Sequence, residues 1–140
     1  MITNPNGTKR VQDADLVYTS VFNDVFDSLD KVAITKHNIG VTQSPQTIFS
    51  FTPSSLFNNN ISVAFYLRLT AGCTISASIN YTDDGGTQQF NILNNYYFSS
   101  AESYSFSPIF ISTTNQPISL SVSSSNISNA VYVSTTASYF

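Results

Sequence analysis

The sequence predicts a mainly β protein: an antiparallel β-sandwich of jelly-roll type, preceded by an N-terminal arm that is partly helical. Three observations lead there. Apolar residues recur at every second position through much of residues 46–140, which is the period of a half-buried strand. Short clusters of Gly, Asn, Asp, Ser and Pro punctuate those runs, as turns do. Nine of the thirteen charged residues fall within the first 36 positions, leaving Arg68, Asp83, Asp84 and Glu102 for the other 104. So abrupt a change of composition divides the chain into an arm and linker over residues 1–45 and a sandwich domain over 46–140. The boundary falls in "HNIGVTQSP" (37–45), where Gly, Asn, Ser and Pro gather.

In the arm, Tyr18, Phe22, Val25, Phe26 and Leu29 recur at three- and four-residue steps, which places them on one face of a helix over 14–32. Asp13 and Asp15 suit its start. The β-branched alternation of Val17, Thr19 and Val21 favours an extended first turn instead. Asp24, Asp27 and Asp30 form the other face, which reads as a solvated surface or a docking surface for a basic partner. The apolar stripe is the candidate partner-binding surface of the arm.

The domain follows strand by strand. "TIFSFT" (47–52) opens it. In "ISVAFYLRLTA" (61–71) Ile61, Val63, Phe65, Leu67 and Leu69 alternate with Ser62, Tyr66, Arg68 and Thr70, so one face packs and the other meets solvent or a neighbour. Ile75, Ala77, Ile79 and Tyr81 repeat the beat, as do Ile118, Leu120 and Val122. "TQQFNIL" (87–93), "YSFSPIFIS" (104–112) and "AVYVSTTASY" (130–139) are weaker candidates. Seven or eight short strands with turns between them read as a sandwich or jelly roll.

Asp83 and Asp84 stand together before Gly85 and Gly86. Between two alternating runs this is a hairpin signal, because glycine accepts positive φ freely and aspartate caps backbone N–H groups. Two catalytic carboxylates would have to flank a substrate with one pKa raised by burial, whereas neighbours in an exposed turn diverge and stay ionised. A calcium loop needs more oxygen ligands at regular spacing than the flanks supply. His37 is the only histidine and Cys73 the only cysteine. That excludes an intrachain disulfide and a histidine-rich metal site within one subunit; His37 reads as a surface linker residue and Cys73 as a small half-buried hydrophobe. Catalytic, cofactor and metal residues are therefore expected to be none.

A net charge of −3 gives no basic footprint, so nucleic acid is not an expected partner. No apolar run is long enough to span a bilayer, and MITNPNGTKR is followed by no apolar signal region, so membrane insertion and signal-peptide export are not expected. The domain's outer positions are Ser, Thr, Asn, Gln and Tyr with hardly any charge. A surface so poor in charge suggests coverage by copies of the same chain or by a larger assembly. Tyr66, Tyr96, Tyr97 and Tyr132 are the candidate surface contacts, each offering apolar area plus a hydroxyl.

The series "ISVAFYLRLT", "ISASINYTDDGGTQQF", "YSFSPIFIST" and "QPISLSVSSSNISNAVYVSTTASY" resembles a family of small bacteriophage virion β-sandwich proteins. Its pattern is a strand ending in a Thr-Asp-Asp-Gly turn, a Ser-Phe-x-Pro strand and a closing strand with aromatic residues. The resemblance covers residues 46–140; Asn115-Gln116-Pro117 replaces an Ala-Gly-Thr-like turn, and the arm has no counterpart. It implies a non-enzymatic structural role without cofactors: an accessory head decoration, head fibre or tail-associated protein. Such a protein is made in the host cytoplasm, resides in the virion, and associates with itself, as a homotrimer, and with other virion proteins. The alternative is a carbohydrate- or receptor-binding module, with a host-surface glycan as partner and Tyr96, Tyr97 and Tyr132 stacking on sugar rings.

Overall fold

The computed structural model describes residues 31–54 and 59–140. The expected helix over 14–32 and the stripe Tyr18, Phe22, Val25, Phe26 and Leu29 lie outside the described residues, apart from the helix's last two positions. Lys31 is a turn residue and Val32 already begins a strand.

Eight strands follow: β1 Val32–Gly40, β2 Gln46–Phe51, β3 Asn60–Leu69, β4 Cys73–Asp83, β5 Gly86–Phe98, β6 Glu102–Ser112, β7 Ile118–Ser124 and β8 Val131–Tyr139. They form two antiparallel four-stranded sheets, sheet A in the order β1-β8-β3-β6 and sheet B in the order β2-β7-β4-β5. This is the jelly-roll arrangement of a β-sandwich. The fold class read from the sequence is therefore the observed one.

The alternating residues of β3, β4, β7 and β8 supply the core. Ile61, Val63, Leu67, Ile75, Ile79, Ile118, Leu120, Val122, Val131 and Val133 are wholly buried. These central strands carry partners on both sides, so their inward residues are covered from every direction. Cys73 is buried among them as a free thiol. Two inward residues of these strands are polar: Thr135 is buried on β8 and Ser124 at the end of β7.

One strand departs from the sequence reading. Residues 37–45 were expected to form a linker, yet β1 carries the chain through Gly40 as an edge strand on β8, and the compact unit begins at Val32. The reason is the register. Lys36 faces Thr135 and Ile39 faces Val133, so His37 and Asn38 together oppose Ser134. Asn38 takes φ of 53° at this β-bulge, a left-handed conformation that asparagine tolerates. The extra residue breaks the period-two pattern, and Asn-Ile-Gly then resembles a loop.

Candidate functional site

The two outer faces differ in chemistry. On sheet B the outward row is Thr74, Ser76, Ser78 and Asn80 on β4 beside Ser119, Ser121 and Ser123 on β7. Strands β2, β5 and β7 contain no charged residue. All three described cationic residues, Lys31, Lys36 and Arg68, lie on sheet A or in the turn that enters it.

On sheet A, register sets three rows across the face. Gly40, Tyr132, Arg68 and Ser103 form one; the β1 bulge, Ser134, Tyr66 and Ser105 the next; Thr35, Thr136 and Ala64 the third. In the first row the Arg68 guanidinium carbon sits 4.2 Å from the centre of the Tyr132 ring, a cation–π contact. Its Nη2 donates a 2.9 Å hydrogen bond to Asn38 Oδ1. Asn38 is held in turn by its own N–H, which donates to Ser134 Oγ at 2.9 Å. The bulge of β1 thus positions the one arginine of the domain.

A second bulge lies on the opposite edge. Val63 faces Ile109 and Phe65 faces Phe106, so Ser107 and Pro108 together oppose Ala64. Proline donates no ladder hydrogen bond and suits such an edge position. Between the two bulges the surface sinks into a depression of about 350 Å³, whose lining includes Lys36, His37, Ala64, Tyr66, Ser105 and Ser134. Sheet B carries a smaller hollow of about 240 Å³ lined only by Ser and Thr hydroxyls and Asn95.

The aromatic residues of β5 expose a different feature. By register Phe90 faces Ile79 and Tyr96 faces Ile75, which puts both on the core side of the strand. Yet Phe90 is 42% exposed and Tyr96 53%. β5 and β6 are the free edges of their sheets and do not pair with each other, so the core side of this flank is only partly covered. A chain of tilted rings runs inward from it: Tyr96 to Phe98 at 4.7 Å, Phe98 to Tyr104 at 4.8 Å, Tyr104 to Phe106 at 6.5 Å and Phe106 to Phe65 at 5.3 Å between centroids. The Tyr104 hydroxyl is pushed up to about 12, first by its hydrogen bond with the Glu102 carboxylate and then by desolvation and the same negative charge. Tyr97 points to the outer side opposite Thr74, and a bulge at Asn95 (φ 51°) separates the two halves of the strand.

The four sequence-selected tyrosines thus divide between surfaces. Tyr66 and Tyr132 belong to the outer face of sheet A, Tyr96 to the β5–β6 flank and Tyr97 to the outer face of sheet B. Asp83 and Asp84 occupy the turn joining β4 to β5: Asp83 faces Gly86, and Asp83 Oδ1 accepts hydrogen bonds from Gly85 N–H at 2.8 Å and Gln88 Nε2 at 3.2 Å. His37, expected in a linker, instead lines the sheet A depression because β1 is a strand. Among the described residues no three His, Cys, Asp or Glu side chains converge on a metal position. No described helix is long and apolar enough to cross a membrane. Sequence reasoning also missed Phe90, whose signal was available: its aromatic ring sits in a run otherwise of Thr, Gln and Asn.

No described protein family matches this chain, and no characterised protein matches it in sequence. In three dimensions it is similar to the VP2 subviral particle protein of infectious bursal disease virus, at 16% identity and a TM-score of 0.49, with 76% of this chain covering 29% of that one. It is similar also to the CBM22-1 xylan-binding domain of Xyn10C from Paenibacillus barcinonensis, at 12% identity and a TM-score of 0.44, with 77% of this chain covering 94% of that one. The chain spans less than a third of the viral protein's length.

Proposed function

We propose that this protein is a non-enzymatic structural component of a virus particle, an accessory head decoration, fibre or tail-associated protein that associates with itself, as a trimer, and docks through its N-terminal arm. It uses no cofactor, and its described surfaces serve adhesion. The observation that carries this reading is the β5–β6 flank. Phe90 and Tyr96 face the core side of an uncharged thirteen-residue edge strand and still stand about half exposed. An unprotected edge of that length is a liability for a solitary molecule and an interface for an assembled one. The nearly chargeless face of sheet B supports the same reading, because copies can stack on it without opposing like charges. The resemblance of residues 46–140 to small phage virion proteins supplies the setting, and Tyr18, Phe22, Val25, Phe26 and Leu29 supply the apolar docking stripe. Replacing Phe22 and Phe26 with Asp in the full chain tests the arm: copy number in purified particles falls if the stripe is the anchor, and an unchanged copy number removes it from that role.

A second reading, a carbohydrate- or receptor-binding module, is favoured by the depression on sheet A, where hydroxyls, a tyrosine ring and a lysine meet.

A further inference from the structure

We propose that the depression on the outer face of sheet A binds a carboxylated sugar, a proposal that rests on the second reading and specifies its ligand. Its volume of about 350 Å³ falls at the lower end of the roughly 300–1,000 Å³ spanned by small-ligand sites. It is built by strand irregularity. The β1 bulge lifts His37 and Asn38 on one side, and the β6 bulge displaces Ser107 and Pro108 on the other. Between them Ala64 supplies a floor with the smallest side chain on the outward row of β3. Bulges commonly re-aim side chains at functional sites in this way.

The lining suits a saccharide. Thr35, Thr136, Ser134 and Ser105 present hydroxyls, which both donate and accept and so match the hydroxyls of a sugar ring. Tyr66 provides an exposed aromatic face for the ring's C–H groups, with its own hydroxyl as a polar end. The depression on sheet B has hydroxyls but no aromatic wall, and for that reason it is the weaker candidate.

Charge selects the acidic sugar. Lys36 lines the depression. Arg68 is fixed one row away by the Tyr132 ring and Asn38. Lys36 is thus the one described Lys or Arg that lines this hollow, with Arg68 standing outside the lining, whereas none of the described carboxylates, Asp83, Asp84 and Glu102, lines it. A carboxylate entering here meets positive charge and no opposing acid.

Saturation-transfer NMR on the purified full chain tests this with three probes: 3′-sialyllactose, a glucuronic-acid-containing disaccharide, and lactose. The expected result is binding of at least one acidic probe, at least tenfold tighter than lactose; which acidic probe binds separates a sialylated glycan from a uronic-acid polysaccharide as the source. Ala64→Trp, which fills the floor, and Tyr66→Ala, which removes the wall, each weaken that binding at least tenfold. Lys36→Gln weakens the acidic probe and leaves lactose unchanged. Circular dichroism melts establish that the variants are folded. Lactose binding as tightly as the acidic probes overturns the acidic assignment but leaves the general carbohydrate reading standing, and so does acidic binding that is insensitive to both Ala64→Trp and Tyr66→Ala. Absence of binding by all three probes overturns both.

Discussion

Thr135 Oγ1 donates a 2.7 Å hydrogen bond to the carbonyl oxygen of Ala64, joining the only buried polar side chain of β8 to the strand beneath the sheet A depression. The hydroxyl explains why a polar residue is tolerated there: unpaired, it would carry the full desolvation cost of a buried donor. Thr135→Val keeps the shape and removes the bond. It is expected to lower stability by about 1 kcal/mol, read as a lower urea midpoint with an unchanged slope.

Gly72 is required by close approach. A Cβ there would lie 2.8 Å from the carbonyl oxygens of both Phe98 and Ser99, which are backbone atoms at the start of the turn into β6. Gly72→Ala is expected to cost about 1–3 kcal/mol as an overpacking change. At Gly40 the nearest atom would be 3.5 Å away on the Tyr132 ring, so Gly40→Ala is expected to be far milder. Equal melting temperatures for the two variants would contradict this account.

The two aspartates of the β4–β5 turn are unequal. Asp83 holds Gly85 and Gln88, whereas Asp84 is exposed at the tip. Asp83→Ala is expected to destabilise by about 1 kcal/mol and Asp84→Ala by less than about 0.5 kcal/mol. Chemical denaturation of the two single variants checks the difference.

Tyr104 makes stability depend on pH in the alkaline range. Its hydroxyl is pushed up to about 12 in the folded protein, chiefly by the hydrogen bond with Glu102, against about 10 in an unfolded chain. The folded state therefore holds this proton more tightly. That contribution is complete below pH 10 and is lost as pH rises from about 10 towards 12. Tyr104→Phe is expected to flatten the fall in stability over this window, measured by thermal melts at stepped pH.

The β5–β6 flank separates association from folding. Replacing Phe90 and Tyr96 together with Ser is expected to reduce the oligomer seen by light scattering while leaving secondary structure intact, since both side chains are already about half exposed. Phe65→Ala, in the closed part of the core, is expected to cost about 3–5 kcal/mol. An unchanged mass for the double variant would move the interface elsewhere.

Much of the sandwich was legible because it is local. Ile61 to Leu69, Ile75 to Ile79 and Ile118 to Val122 alternate without interruption, since each strand buries one face and carries no bulge in that stretch facing its central neighbour. The Asp-Gly hairpin was equally plain, because two adjacent residues and their glycines determine it. β1 was not, since the bulge at His37 and Asn38 shifts its parity and its edge position leaves the pattern half exposed. The depression was out of reach for a different reason. Residues 35–37, 64–66, 105 and 134–136 come together only through the strand order, and nothing in any one segment reports that order. Tyr96 was selected as a surface contact, but that it shares a core-side flank with Phe90 was not legible, because what lies across from a residue is not written beside it.

Val32 and Ser138 are cross-strand partners, so the first and last strands lie side by side in opposite directions with their outer ends together. Tension applied between those ends pulls across the strands, along the hydrogen bonds. The bonds then break singly, like a zip, and do not share the load as they would in shear. The domain pulled in this way would yield at low force from the β1 edge, while tension entering through the flank of β5 and β6 would meet the intact sheets.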